Sequence, residues 1–300
     1  MPTHAGHGRV EELIGSAGGR VRADVVPSVP VGSVAGTNRR SRRGRTSTAA
    51  GALAARAGAG VLVSSLALGL HAAWGVHAMR RRAADVVPLT HDVDLPGRFP
   101  PRYLVMLGDS AAAGHGLTDP EQAVPRRVAR ALVAADGRAT AVRSVAVDGA
   151  TTAEVLAHQV EAARGAEVVM LGVGANDALD PRRRRQELVD ATHRLLTAAR
   201  ELAAPDAYLL LHTCPDLSAA PGLPAVLRPA VGWRCRATAT AQAAVAALHG
   251  VPVIDLPRAR LTHEVFGSDG FHPGVTGHAW LAGRVADLLV AEGDHQPARS

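Results

Sequence analysis

The amino-acid sequence predicts an α/β fold, a parallel sheet of about five strands with helices on both of its faces. Three observations favour this fold class. Five short runs from about residue 100 onward are apolar almost throughout, which is typical of strands buried on both faces. Longer segments with apolar residues at helical spacing alternate with those runs, and several of these segments carry helix-end signals. Strands and helices in alternation indicate parallel strands joined by helical crossovers.

The predicted elements follow one another with little chain between them. The first strand comes directly after the Pro-rich segment PGRFPPR. The predicted strands are residues 103–107, 141–147, 167–173, 207–213 and 251–256. The predicted helices are residues 126–135, 151–164, 182–203, 230–249 and 275–291. About 200 residues are enough for one domain of this kind.

Capping residues support the ends of three of these helices. Thr151 followed by Glu154 fits a capping box at the start of the second helix. Asp180 followed by Pro181 fits an N-cap and first helical position for the third. Gly137 fits the left-handed residue that ends the first helix.

The charge distribution argues against nucleic-acid binding. The chain contains 33 basic residues, all of them arginine, and has a formal net charge of +6. Through Asp94 there are 12 arginines against 6 acidic residues, whereas from Leu95 onward there are 21 against 21. The main body is therefore neutral, and with only 3% aromatic residues it lacks both phosphate attraction and stacking surface.

The sequence predicts five regions of different character. The first is disordered and basic, the second is a hydrophobic helix, the third is a linker, the fourth is the α/β domain and the fifth is a flexible tail. Their predicted bounds are residues 1–50, 51–82, 83–101, 102–292 and 293–300.

A single membrane anchor is predicted within the hydrophobic helix. Residues 57–79 contain no acidic residue and no arginine, and as a helix they reach roughly 35 Å, enough to cross a hydrocarbon core of about 30 Å. Five arginines at residues 39–45 outnumber three at residues 80–82, which predicts that the α/β domain lies outside the membrane. Several Ser, His and Gly residues dilute the segment, so a buried or surface-lying helix is the alternative, and the domain is then secreted or cytoplasmic.

Five polar or small residues occur where predicted strands end or where the last helix begins. Ser110 follows the first strand, Gly149 the second and Asn176 the third, while Asp269 and His272 precede the last helix. Ligand sites of open α/β sheets lie beyond the carboxyl ends of the strands. We therefore expect these residues to share one rim of the sheet.

Their chemistry is that of nucleophilic catalysis. A serine hydroxyl needs a base to take its proton, and a neutral imidazole is the usual base near pH 7, which makes His272 the candidate base for Ser110. Asp269, three residues earlier, is close enough to orient that imidazole and stabilise its protonated form. The amides of Ser110 and Gly149 and the side chain of Asn176 are candidate donors to an oxyanion.

The sequence resembles the GDSL or SGNH hydrolase family of serine esterases and lipases, whose four blocks supply Ser, Gly, Asn and His in that order. The matching segments are GDS at residues 108–110, VDGATT at 147–152, GAND at 174–177 and DGFHP at 269–273. The resemblance implies a three-layer α/β/α flavodoxin-like fold, ester hydrolysis through an acyl-serine intermediate, and no metal or organic cofactor. One departure is Ser144, where many members have Asn shortly before the glycine of the second block.

Several residues near the motifs are predicted to have structural and not chemical roles. His115 is predicted as an exposed loop residue, with contact to the substrate as the alternative. The arginines at 182–185 are predicted as a solvated face, with attraction of an anionic head group as the alternative. Asp109 and Asp177 are predicted to brace loops by hydrogen bonds to the backbone. The two cysteines, Cys214 and Cys235, are predicted either as a disulfide or as two buried thiols.

The leading functional hypothesis is a serine esterase acting on a small-molecule, lipid or glycan ester, as a lipase or a carbohydrate acetylesterase. Two alternatives stay open at the level of sequence. The same machinery would serve an acyltransferase that passes the acyl group to a sugar or lipid hydroxyl. The second alternative is a catalytically silent module that binds a glycan or lipid. Such a module has no need for a nucleophile, a base, an orienting carboxylate and oxyanion donors together.

Overall fold

The computed structural model describes residues 92–259 and 262–293. Its strands are β1 (Val93–Leu95), β2 (Arg98–Gly108), β3 (Arg138–Ser144), β4 (Val168–Gly172), β5 (Tyr208–His212) and β6 (Val253–Ile254). Its α-helices are α1 (Val124–Asp136), α2 (Thr152–His158), α3 (Ala175–Leu179), α4 (Arg185–Leu202), α5 (Arg228–Leu248) and α6 (Val275–Gly293).

The strands form one sheet in the order β1-β3-β2-β4-β5-β6. Strands β2 to β6 pair in parallel, as predicted, but β1 adds an antiparallel edge beside β3, with Val93 opposite Val142 and Leu95 opposite Thr140. The expected parallel sheet of about five strands is therefore confirmed, and β1 adds a sixth, antiparallel strand at its edge. Three residues are too few to show a hydrophobic period, which is why the sequence did not indicate β1.

Helices cover both faces of the sheet, so the fold has three layers, α/β/α. Helices α1 and α6 pack together over one face, where Val128 and Val285 meet strand residues such as Met106 and Met170. Helix α4 packs against both α2 and α5. Because successive strand side chains point to opposite faces, Val105 and Leu107 of β2 are buried on the side away from Met106.

The sequence predicted one helix start correctly and another wrongly. The capping box is confirmed, since the Glu154 carboxylate accepts hydrogen bonds from the N–H and the hydroxyl of Thr151 at 2.8 and 2.7 Å. The predicted start of the third helix at residue 182 is wrong, because Asp180 instead ends the short helix α3. Helix α4 begins only at Arg185, where the Glu187 carboxylate accepts a hydrogen bond from the backbone N–H of Arg184 at 3.3 Å.

The topology brings the ends of β2 and β4 to the centre of one edge. The chain leaves β2 toward β3 on one side and then crosses to β4 on the other, which makes the space beyond β2 and β4 a topological switch point. Ser110 follows β2 and Asn176 follows β4. The fold therefore directs both residues to the position at which open α/β sheets bind ligands.

No helix within residues 92–259 and 262–293 is long and apolar enough to cross a membrane. The predicted anchor at residues 57–79 lies outside these described residues, as do the regions 1–50 and 51–82 and residues 83–91 of the linker 83–101. Residues 294–300 of the predicted tail also lie outside them.

Candidate active site

The turn after β2 is set by a close approach of two strands. Gly108 ends β2 with a φ of 153°, and a Cβ at this position would lie 2.1 Å from the carbonyl oxygen of Gly172 at the end of β4. Asp109 continues the pairing, since its N–H donates to the same carbonyl at 3.0 Å. Only glycine fits at residue 108, and the chain then turns so that Ser110 stands half-buried beyond the sheet.

Ser110, His272 and Asp269 form a continuous chain of hydrogen bonds. The Oγ atom of Ser110 lies 3.0 Å from Nε2 of His272, although 162 residues separate the two in sequence. On the other side of the ring, Nδ1 of His272 lies 2.6 Å from Oδ2 of Asp269. This geometry allows the imidazole to accept the serine proton at Nε2 while its Nδ1–H donates to the carboxylate.

The second oxygen of Asp269 holds the carboxylate in place. Oδ1 accepts hydrogen bonds from the backbone N–H groups of Phe271 at 2.9 Å and His272 at 3.0 Å. Burial by itself raises the pKa of Asp269, but the hydrogen bond from His272 and the backbone N–H of Phe271 outweigh it, so the pKa lies below its ordinary value. Asp269 is therefore a buried, charged carboxylate at neutral pH.

The three predicted oxyanion donors lie at the same edge of the sheet, Ser110 and Gly149 in turns and Asn176 in the first turn of α3. Within the described part of the chain, the backbone N–H groups of Ser110 and Gly149 donate to no protein acceptor. Gly149 has a φ of 80°, and a Cβ added there would meet no atom within 4 Å, so space is open beside it. The Nδ2 atom of Asn176 donates to the carbonyl of Ala150 at 3.0 Å, which fixes the amide beside the Gly149 loop.

The aspartates next to the motif residues brace loops, as predicted. Oδ2 of buried Asp177 accepts hydrogen bonds from the N–H and the hydroxyl of Thr152, both at 2.9 Å, and so ties α3 to the start of α2. Oδ1 of Asp109 accepts from the N–H of Ala111 at 3.1 Å. Burial raises the pKa of Asp109 to about 7, which indicates a carboxyl that is only partly ionised at neutral pH.

Two buried glutamines that the sequence did not indicate support the strand ends. Gln159 accepts from the N–H of Gly108 at 2.8 Å and donates to its carbonyl at 2.9 Å. Gln242 accepts from the N–H of Cys214 at 2.7 Å and donates to the carbonyl of Val173 at 2.8 Å. Each glutamine lies on a segment far from the backbone it supports, so no local pattern could have revealed it.

Replacing Gln159 with Leu is expected to lower the free energy of unfolding by about 1–3 kcal/mol. Leu fills a similar volume but leaves the buried N–H of Gly108 without its acceptor, and an unsatisfied buried donor costs about that much. Urea unfolding followed by circular dichroism measures the change. The matched control is Gln186→Leu on the exposed side of α4, which we expect to stay within about 0.5 kcal/mol of wild type; equal stabilities in both variants would contradict the bracing role.

The prediction for His115 is wrong. Its side chain is not an exposed loop group, because the residue is only 7% exposed and its Nδ1 lies 2.7 Å from Oδ2 of Asp148. The signal that sequence reasoning missed is the acidic residue directly before Gly149, which brings a carboxylate to the same rim. The arginines at 182–185, in contrast, are mostly exposed as expected.

The two cysteines are both buried and both free. Cys214 and Cys235 pack in a small apolar cluster with Leu217 and Phe271, the residue before His272. Of the two interpretations left open by the sequence, buried thiols are the one that the structure contains.

One group of side chains among the described residues could hold a metal ion. His115, Asp269 and His272 each offer a ligand atom, and these atoms lie within 4.8 Å of one another. All three residues are buried.

The fold and the hydrogen-bonded chain of Ser110, His272 and Asp269 define an α/β enzyme with its polar groups at the carboxyl edge of a largely parallel sheet. Residues 106–280 match the GDSL-like Lipase/Acylhydrolase family. Since this match covers more than half of the chain, the protein belongs to that family, which groups carboxylic ester hydrolases.

A relative in Mycobacterium tuberculosis (strain ATCC 25618 / H37Rv), the GDSL-like esterase Rv1075c, is 32% identical over 199 residues. This match covers 62% of the chain and 60% of the relative, so the chain spans about three fifths of that protein.

Solved structures agree with the fold. The lipase/acylhydrolase from Enterococcus faecalis is 26% identical with a TM-score of 0.50, and the match covers 66% of this chain and all of that one. The psychrotrophic esterase EstA from Pseudoalteromonas sp. is 14% identical with a TM-score of 0.50, and the match covers 65% of this chain and all of that one. The second likeness concerns the fold alone.

Proposed function

We propose that residues 102–292 form a serine esterase that hydrolyses carboxylic esters through an acyl-serine intermediate. The observation that carries this proposal is the hydrogen-bonded chain from Ser110 through His272 to Asp269, with distances of 3.0 and 2.6 Å. Family membership supports the same reaction class. The name of the 32% identical relative, an esterase, favours water over another hydroxyl as the acyl acceptor.

In the proposed acylation step, Oγ of Ser110 attacks the ester carbonyl carbon while Nε2 of His272 takes the hydroxyl proton. The carboxylate of Asp269 stabilises the imidazolium that forms, and it keeps the ring in the tautomer with Nδ1 protonated. When the tetrahedral intermediate collapses, the C–O bond to the alcohol breaks and His272 donates its proton to the departing oxygen. The product is an acyl-Ser110 ester and a free alcohol.

Deacylation repeats the sequence with water in place of serine. His272 takes a proton from water, the hydroxide oxygen attacks the acyl carbon, and the bond to Ser110 Oγ breaks as His272 returns the proton to that oxygen. The carboxylic acid leaves and the enzyme is restored. These steps use side chains and backbone amides of the chain and need no cofactor.

In both steps we propose that the N–H groups of Ser110 and Gly149 and Nδ2 of Asn176 stabilise the oxyanion. The two backbone groups have no acceptor within the described residues, which leaves them available to a substrate. Donors fixed before the reaction cost no reorganisation when charge develops on the oxygen. The left-handed backbone of Gly149 and the hydrogen bond from Asn176 to Ala150 both favour such fixed positions.

Replacing Asn176 with Ala is expected to lower kcat for a short-chain p-nitrophenyl ester by about 10²- to 10³-fold, with a much smaller change in KM. The reason is that the lost donor acts mainly on the transition state. Steady-state kinetics measure the split, and a thermal melt checks that the loop near Ala150 still folds. A change in KM alone would show that Asn176 binds the substrate without stabilising the oxyanion.

The membrane anchor at residues 57–79 stays a prediction, since it lies outside the described residues. The bounds of the esterase domain and its location on the outer side of a membrane also remain predictions.

Labelling with a fluorophosphonate tests the proposed function. The wild-type chain is expected to take up one phosphonyl group, located on Ser110 by mass spectrometry of its peptides, and to lose ester hydrolysis in parallel. A folded protein that neither hydrolyses p-nitrophenyl acetate nor reacts at Ser110 would overturn the proposal and favour the silent binding module.

A further inference from the structure

His115 is held against the proposed active site by two contacts. Its backbone N–H donates to the carbonyl of Ser110 at 2.9 Å, so it lies one turn beyond the nucleophile. Its Nδ1 lies 2.7 Å from Oδ2 of Asp148. Its Nε2 is buried and has no hydrogen-bond partner among the described residues, which is costly for a polar atom.

The ring of His115 packs against the ring of His272. Their centroids are 4.2 Å apart and the rings are tilted by 41°. Each imidazole has its Nδ1 next to a carboxylate, from Asp148 in one case and Asp269 in the other. A carboxylate on Nδ1 is the arrangement that orients histidines for metal binding through Nε2.

We propose that His115 and His272 form an inhibitory site for Zn²⁺. One ligand atom from each of His115, Asp269 and His272 lies within 4.8 Å of the others, and all three residues are buried. Imidazole nitrogens bind Zn²⁺ at about 2.0–2.1 Å, and the nearby carboxylates of Asp148 and Asp269 offset the charge of the ion. Two imidazoles with such carboxylates favour Zn²⁺ over hard ions such as Mg²⁺.

Zn²⁺ bound in this way uses the same lone pair that accepts the serine proton. Ser110 Oγ lies 3.0 Å from Nε2 of His272, a spacing that is also close to that of two ligands of one Zn²⁺ ion. With Nε2 occupied by the metal, His272 has no site for the proton of Ser110. The ion therefore prevents acylation, and a chelator restores it.

Any test must distinguish zinc binding at this site from zinc binding at a second histidine pair. Nε2 of His249 lies 2.8 Å from Nδ1 of His193 on the exposed surface of α4 and α5, and this pair also offers nitrogen donors. The chain used for binding measurements therefore carries His193→Gln, and His115→Phe is introduced into that background. Phenylalanine keeps a ring against His272 but removes the nitrogen donors.

Zinc binding is measured directly by isothermal titration calorimetry at about pH 8, where metal-binding imidazoles are neutral. The His193→Gln chain is expected to bind one more Zn²⁺ than the His193→Gln, His115→Phe chain, and histidines elsewhere contribute equally to both. An equal number of sites in the two chains would overturn the proposal. This measurement does not depend on esterase activity, so it remains decisive even if the proposed function fails.

The inhibitory effect rests on the proposed function and is measured with a p-nitrophenyl ester, each variant being compared with its own zinc-free rate. His115→Phe is expected to raise the Zn²⁺ concentration for half-inhibition by about 100-fold or more. Asp148→Asn, which removes only the outer carboxylate, is expected to raise it by about 10- to 100-fold. His115→Gln serves as a second variant if His115→Phe does not fold, and inhibition unchanged in the folded His115 variants would contradict the assignment of the site.

Discussion

Ser110→Ala is expected to lower kcat/KM for a short-chain p-nitrophenyl ester by roughly 10⁴- to 10⁶-fold. The loss is this large because the substitution removes the atom that forms the acyl intermediate, and the remaining groups support only a slow direct attack by water. Steady-state hydrolysis, with the enzyme concentration raised for the variant, measures the ratio. The fluorophosphonate reaction is expected to disappear together with the esterase activity.

The matched control is Ser268→Ala. Ser268 is an exposed serine in the turn just before Asp269, and we expect its loss to change kcat/KM by less than about threefold. Both variants should unfold at the wild-type temperature to within a few degrees. Equal rates in wild type and Ser110→Ala would show that the observed hydrolysis does not use this serine.

Asp269→Asn is expected to lower kcat by roughly 10³- to 10⁴-fold. Asparagine has the same shape, but it carries no charge to stabilise the imidazolium of His272, and its amide can hold the ring in the wrong tautomer. The pKa of Asp269 lies below its ordinary value, so in the wild-type chain the carboxylate is charged throughout the neutral range. Hydrolysis measured at several pH values between about 6 and 9 is therefore expected to stay low in the variant at every pH.

Asp94→Asn provides the comparison for Asp269→Asn. Asp94 lies on the edge strand β1, where its exposed carboxylate pairs with Arg143 at 2.9 Å. A surface ion pair of this kind contributes little, so we expect near wild-type activity. If Asp269→Asn retained more than about a tenth of the wild-type kcat, His272 would need another orienting group, and the role proposed for Asp269 would be wrong.

Local sequence patterns predicted the fold class because each parallel strand is apolar on both faces and each long helix carries apolar residues at helical spacing. These patterns failed where an element is too short to show a periodic arrangement of apolar residues, as in β1. They also failed where one residue fits both the end of one helix and the start of the next. Asp180 illustrates the second case, since its side chain and the following Pro181 fit a helix start although the residue ends α3. The end of α3 is fixed by a contact from α5, since the Arg234 guanidinium donates hydrogen bonds to the carbonyl oxygens of Ala178 at 2.6 Å and Asp180 at 2.5 Å.

The sequence by itself determined the residue types at the ends of β2, β3 and β4 and the pairing of Asp269 with His272, because these depend on neighbours within a few positions. Only the tertiary structure decided that Ser110 lies within hydrogen-bond distance of His272, that Gln159 supports Gly108, and that His115 packs against His272. Such contacts join residues far apart in the chain, and they form only when the layers on either side of the sheet are packed. A buried polar side chain leaves no periodic signal in the sequence, since its partner is chosen by the fold and not by its neighbours.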